Sequence, residues 1–252
     1  MAAILEVRRL SKRFGGIVVA DAIDLDLTAG RVLGLIGPNG AGKTSLFNLI
    51  SGAVRPDAGT LKLDGRSIDR MEVHRRARLG LSRTWQNLRL FPSLTVIDNL
   101  IVAPRAYPSD SLFRMVFAPG RAAGEERAIR AKAYEILERT GLADVATQPA
   151  ADLTYGQQKL VGVARALMND PRCLLLDEPM AGVEGQAYRT VQAVVRSLAE
   201  SGIAVCVVEH NVAFVRDLCD EGVFMFAGKV LARGPVETLI ADPRLTELYF
   251  GT

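Results

Sequence analysis

The sequence has no uninterrupted apolar run near the length that crosses a bilayer, so any work at a membrane would pass through a partner. It has little net charge: 31 Lys and Arg stand against 28 Asp and Glu, an excess of +3. A dedicated nucleic-acid binder gathers a larger basic excess on one face, and this balance fits an ordinary solvated surface, with no nucleic-acid partner expected. Cysteines are few. Cys173, Cys206 and Cys219 show no metal-ligand spacing, and the first two adjoin aliphatic runs. Buried free thiols in a reducing compartment are expected. The opening Ala2–Leu5 meets Glu6, Arg8 and Arg9 at once, so no signal-peptide pattern is expected there. Internal repeats and low-complexity tracts are also lacking.

What is present is enough for a real core. The chain has 252 residues, 49% hydrophobic and 23% charged, which suits one large domain or one domain with an inserted lobe. Val32–Ile36, Cys173–Leu176, Ile203–Val208 and Gly222–Phe226 read as short buried strands. Helical patterns at Thr44–Ile50, Ala187–Glu200 and Val212–Cys219 alternate with them. That alternation predicts an α/β core with a mainly parallel sheet. Leu5–Leu27 and Thr60–Ile68 alternate apolar with polar residues instead, which predicts an antiparallel β lobe. Leu88–Met168 is expected to be mostly helical, with a strong helix over Glu125–Thr140 capped by Gly141. Tyr107–Gly124 is richer in Pro, Gly and Ser and reads as a loop or a short exposed helix.

Between the Val32–Ile36 strand and the Thr44–Ile50 helix lies Gly37-Pro38-Asn39-Gly40-Ala41-Gly42-Lys43-Thr44, a match to the P-loop pattern in the right context. Its glycines let the backbone wrap an anion, and the helix N-terminus faces the phosphates. Lys43 supplies a full positive charge to the β- and γ-phosphates, and the Thr44 hydroxyl is placed to ligate Mg²⁺. These eight residues, with Ser45 after them, are the candidate ATP-binding set. A second strand ends in Asp177-Glu178-Pro179. Asp177 suits a metal carboxylate and Glu178 a base for the attacking water. His210 ends the following strand, where its imidazole would lie near the γ-phosphate.

Leu153-Thr154-Tyr155-Gly156-Gln157-Gln158-Lys159 resembles the signature loop of ABC-transporter nucleotide-binding domains, usually Leu-Ser-Gly-Gly-Gln. Thr154 keeps the hydroxyl, Tyr155 replaces the first glycine, and Gly156 and Gln157 match. The resemblance covers nearly the whole chain. It implies a P-loop NTPase (RecA-like) core and β lobe over 1–87 and 169–252, with an inserted helical lobe carrying the signature over 88–168. It implies a head-to-tail pair of cassettes in which Thr154, Tyr155, Gly156 and Gln157 of one copy close over the nucleotide of the other. Gln86 looks like the glutamine that joins core to helical lobe and senses Mg²⁺ or the attacking water. Phe14 looks like the aromatic on which adenine stacks, with a core phenylalanine as the competing reading. Ala181-Gly182-Val183-Glu184 stands where the family has its D-loop, and Glu184 departs from the usual Asp.

Within the family, Ser82-Arg83-Thr84-Trp85-Gln86-Asn87-Leu88-Arg89-Leu90-Phe91, the Tyr-Gly-Gln signature and Gly234–Glu237 with Tyr249–Gly251 resemble the ATPase subunits of branched-chain amino acid importers. That resemblance implies permease subunits, a second ATPase subunit (self or paralogue), an indirect substrate-binding protein, and residence at the cytoplasmic face of the membrane. At least two of Leu88, Leu90, Phe91 and Leu94 are expected to be lobe core, and the exposed ones to meet the permease. Importers for urea or short amides, and separate-subunit exporters of lipid or lipopolysaccharide, share much of this pattern. Non-transport ABC ATPases fit less well. Lys43 and Leu153 are only about 110 positions apart, with no sustained heptads between them.

Overall fold

The structure is a computed structural model that describes residues 3–85, 88–103, 119–183 and 185–250. Gln86, Glu184 and most of the 107–124 segment therefore lie outside the described residues.

Alternation in the N-terminal stretch folds as expected. Strands β1 (Ala3–Phe14) and β2 (Ile17–Thr28) pair antiparallel across the two-residue turn Gly15–Gly16, where Gly15 takes φ +55°. Strands β4 (Ala58–Leu63) and β5 (Arg66–Ser67) complete a sheet of order β2-β1-β4-β5. Leu5 and Val7 of β1, Leu25 and Leu27 of β2, and Leu61 and Leu63 of β4 are buried, while Asp24 and Asp26 point outward or part outward. This is the one-sided burial of an antiparallel sheet on a core.

The second sheet has six strands in the order β10-β9-β3-β8-β7-β6. Its centre is β3 (Val32–Ile36), β8 (Ala204–Val208) and β7 (Cys173–Asp177), buried at every position and mutually parallel. Strands β6 (Leu81–Arg83) and β9 (Glu221–Phe226) flank them in parallel, and β10 (Lys229–Gly234) closes one edge antiparallel to β9. Aliphatic runs without alternation belong in a sheet covered on both faces. One core cluster joins both sheets with Leu46, Phe47, Leu49 and Ile50 of helix α1 (Lys43–Ser51).

Helix α2 (Val73–Arg78) carries Arg76, which is fully buried. Its guanidinium donates to Met71 O, Leu49 O, Ile50 O and Asp69 O. Leu49 and Ile50 lie in the last turn of α1, so the charge also meets the negative end of that helix. Burial nevertheless lowers the Arg76 pKa to about 10.

By compactness the chain divides into two units: Met1–Gln86 with Pro171–Ala181 and Val195–Thr252, and Asn87–Asp170 with Gly182–Val194. In the second unit, α3 (Val96–Ile101), α4 (Pro119–Arg139) and α5 (Tyr155–Leu167) pack on one another. The α4 helix starts at Pro119, so the end of the expected loop segment is helical; proline is suited to a first helical position. Gly141 sits just past the helix with φ +68°, as expected of a C-terminal stop. Buried Asn99 accepts from Phe91 N and donates to Phe91 O and Thr95 O, pinning the segment before α3. The expectation that at least two of Leu88, Leu90, Phe91 and Leu94 are core is not met: Phe91 is 49% exposed and the other three are half-buried. The Asn99 bonds hold this stretch by its backbone, so its side chains need not be buried.

Helix α6 (Gln186–Glu200) precedes β8, and α7 (Val212–Leu218) follows it. Two further helices, α8 (Val236–Ala241) and α9 (Pro243–Phe250), end the chain. Cys173, Cys206 and Cys219 are free and buried, as expected. Burial raises all three thiol pKa values, Cys219 to about 12, so they stay protonated and unreactive.

Candidate nucleotide-binding and hydrolysis site

Parallel strands β3, β8 and β7 are neighbours, about 4.8 Å apart in such sheets, and all three end on the same side. Their carboxyl ends therefore bring Gly37–Thr44, Glu209–His210 and Asp177–Glu178 together, where open α/β sheets bind ligands.

The loop after β3 has room only for glycine at two points. A Cβ at Gly37 would lie 2.1 Å from Met225 O. A Cβ at Gly42 would lie 2.4 Å from Val19 O, and its φ is +102°. Gly42 is also the N-cap of α1 and offers no side-chain acceptor to the first-turn amides. Those amides, from Lys43 through Ser45, are left for an outside anion. Lys43 is only 6% exposed. Its Nζ donates to Gly37 O at 2.5 Å and to Pro38 O at 2.9 Å. Burial lowers its pKa, while Glu178 and Asp177 pull it back upward. A phosphate arriving here meets a desolvated ammonium whose protein partners include neutral carbonyls, so the residues present fit a nucleotide. Asn39, Gly40 and Thr44 are exposed, Pro38 and Ser45 are half-buried, and Ala41 is buried.

At the end of β7, Asp177 is held twice. Its N–H donates to Thr84 Oγ1 at 3.2 Å, and its Oδ2 accepts from Arg83 Nη2 at 2.6 Å. Glu178 takes a left-handed φ of +49°, a strained conformation for a residue with a side chain. Its N–H donates to Val208 O, and its Oε1 lies 3.1 Å from His210 Nε2. The structure thus brings two of the expected hydrolytic groups into direct contact.

Behind them stand residues the sequence reading did not single out. Glu209 is buried, with Oε1 accepting from Met180 N at 2.6 Å and Oε2 from His210 N at 3.2 Å. It ties the chain just past Glu178 to the chain bearing His210. Burial raises its pKa against the lowering effect of amides from Met180, His210 and Asn211. Tyr249 on α9 donates its hydroxyl to His210 O at 2.8 Å. Arg83 is buried against Phe47 and Trp85, and its Nη1 donates to Asn48 Oδ1 at 2.7 Å. Its Nε is the one buried side-chain nitrogen or oxygen without a partner among the described residues. Leaving such a donor unmade costs about 1–3 kcal/mol.

Phe14, at the end of β1, is 49% exposed with Lys12 Nζ 5.3 Å above its ring. It is not a core phenylalanine: its ring is half exposed and carries the Lys12 ammonium over it. Trp85 is 41% exposed, so it too is no core residue. In the second unit, Thr154 caps α5 through a reciprocal box: Gln157 N donates to Thr154 Oγ1 and Thr154 N to Gln157 Oε1. Gly156 is buried, and a Cβ there would lie 2.7 Å from Ala187 Cβ. Tyr155 is exposed and packs on Gly182, where a Cβ would lie 2.9 Å from its ring. The tyrosine that departs from the usual signature is thus accommodated by a glycine within the same unit.

Residues 20–181 match the family described as ABC transporter. The chain is 35% identical over 249 residues to the high-affinity branched-chain amino acid transport ATP-binding protein BraF of Pseudomonas aeruginosa, covering 98% of both chains. It is 34% identical over 251 residues to the corresponding protein LivG of Escherichia coli, again covering 98% of both. Among solved structures, an ATP-binding cassette of an ABC transporter in its ADP conformation superposes with a TM-score of 0.87 at 31% identity, covering 100% of both chains. With the glycine cradle, the Asp177–Glu178 strand end and the capped Thr154 loop in place, the chain belongs to the ABC transporter family as an ATP-binding, ATP-hydrolysing cassette.

Proposed function

We propose that this cassette energises a branched-chain amino acid importer by binding and hydrolysing MgATP at the site above. The observation that carries the hydrolytic part is the 3.1 Å contact between Glu178 and His210 beside the glycine cradle. Gly37–Gly42 and the first-turn amides wrap the phosphates, Lys43 neutralises them, and Phe14 stacks on the adenine. Thr44 and Asp177, with Gln86, would hold Mg²⁺, which would supply positive charge against the phosphates. Glu178 orients and deprotonates the attacking water. His210 contacts the γ-phosphate, and its pairing with Glu178 keeps both groups aimed at the same side.

The import reading is supported by similarity that runs from end to end of BraF and LivG. Among the described residues no helix is long and apolar enough to cross a membrane. The cassette therefore acts peripherally, at the cytoplasmic face, through permease subunits. The 88–168 lobe is the part that meets the permease and carries the signature loop. Thr154, Tyr155, Gly156 and Gln157 close over nucleotide held by a second cassette, a copy or a paralogue. A separate binding protein delivers the cargo. Phe91, exposed beside Arg165, is the contact residue we assign to the permease.

Uptake of labelled leucine, isoleucine and valine by cells lacking this chain tests the reading. Restoring the wild-type chain is expected to restore uptake, and Phe91→Asp to restore it poorly while the purified variant still binds ATP. Uptake that never depended on the chain would reject branched-chain amino acids as cargo. Full uptake with Phe91→Asp would reject the docking residue.

A further inference from the structure

Asp177 is governed by one short segment. Arg83 closes strand β6, which runs parallel to β7 with Arg83 opposite Leu175. From there Nη2 reaches Asp177 Oδ2 at 2.6 Å, and the next residue, Thr84, accepts the Asp177 amide. Both side chains of the Arg83–Asp177 pair are only 4% exposed. The opposite face of the guanidinium environment is aromatic: its carbon lies 4.3 Å from the Trp85 ring centroid and 5.5 Å from that of Phe47. Two residues after Thr84 comes Gln86, the last residue of the first unit.

The pairing is not the two-pronged one that arginine and carboxylate favour. Only Nη2 meets Asp177, Nη1 is drawn to Asn48, and Nε has no partner among the described residues. The guanidinium is thus held between Asp177 on one side and Asn48, with Ser51 Oγ at 3.4 Å, on the other, and keeps a spare donor. Its position against the indole depends on the balance between these holds. A cation that draws on the Asp177 carboxylate weakens the first of them.

We infer that Arg83 is a positioning residue that relays metal occupancy at Asp177 to Trp85, and so to the segment leading into Gln86. The inference rests on the proposed MgATP site. The relay runs through three consecutive residues: Arg83 on the carboxylate, Thr84 on the backbone, and Trp85 under the guanidinium. Cation–ring contacts depend on distance and orientation, so a turn of Arg83 alters the indole surroundings directly.

Trp85 is the only tryptophan, so its emission reads the relay without interference. The protein is first loaded with a non-hydrolysable ATP analogue in chelator, and Mg²⁺ is then added. The unaltered chain is expected to change its emission on metal addition. In Arg83→Lys, which keeps the charge but loses the guanidinium's fixed fork between Asp177 and Asn48, that metal-dependent change is expected to be about fivefold smaller. Metal-free affinity for the analogue should stay within about twofold of the unaltered chain. A full change in Arg83→Lys would overturn the relay. If Arg83→Lys does not fold, the Arg83 Nε–H resonance of the unaltered chain is followed instead. It is expected to shift on metal addition, and a stationary resonance overturns the inference. An unaltered chain that binds no analogue would overturn the MgATP reading itself, whereas normal binding with a metal-insensitive Trp85 overturns only the relay.

Discussion

Glu209 shows how a single residue can be structural in two directions. Its carboxylate holds the backbone beyond Glu178 and the backbone of His210, yet it is buried enough for its folded pKa to exceed the ordinary 4.5. Between those two values the folded chain binds more protons than the unfolded one. Its stabilising contribution is therefore fully present below pH 4.5 and is lost as pH rises through the folded value. Glu209→Gln removes this titration and one amide acceptor. The variant is expected to be less stable than wild type at low pH, with the gap narrowing as pH rises toward 7, measured by thermal melts across that range. A gap that widens with pH would contradict the assignment. Lys43 was legible in the sequence from the P-loop pattern, and Asp177, Glu178 and His210 because each follows or ends an aliphatic strand run. Arg83, Thr84, Glu209 and Tyr249 were not, because their partners lie 94, 93, 29 and 39 positions away. No local spacing encodes those contacts.

Elements were legible where burial forces a simple pattern. The runs in β3, β7 and β8 are apolar throughout because both faces are covered, and all three were readable as strands. Strand β6 is only Leu-Ser-Arg, and β10 is a half-exposed edge, so neither has an apolar run to read. Helix α4 begins earlier than its strong helix formers suggest; proline and small residues open it. The junction of β3 and α1 is the element whose geometry has the least tolerance. At Gly42 a side chain would need both a left-handed φ and the space occupied by Val19 O. Gly42→Ala is expected to lose roughly 1–3 kcal/mol of stability. ATP binding is expected to weaken by about tenfold or more, since displaced amides no longer converge on the phosphates. Chemical denaturation and nucleotide titration of the same sample check both. Wild-type affinity in that variant would show that the cradle does not need this geometry.

At the scale of the whole molecule, the two compact units divide the motifs between them. The first holds the glycine cradle, Asp177, Glu178 and His210; the second holds the capped Thr154 loop and the exposed Phe91. The family was readable from the signature loop together with the P-loop and the Asp177-Glu178 strand end. The cargo was not, because these motifs are those of nucleotide binding and hydrolysis and carry no recognition chemistry for a solute. The central claim, an ATP site with separable binding and hydrolytic groups, is tested most directly by one paired measurement. ATP affinity and single-turnover hydrolysis are determined for Lys43→Ala and Glu178→Gln. Loss of Lys43 removes charge that meets the phosphates already in the ground state, and loss of Glu178 removes a group acting on the attacking water. The account predicts that Lys43→Ala binds ATP poorly, while Glu178→Gln binds it normally and hydrolyses it about 100-fold or more slowly. Normal turnover by Glu178→Gln, or undiminished ATP binding by Lys43→Ala, would contradict it.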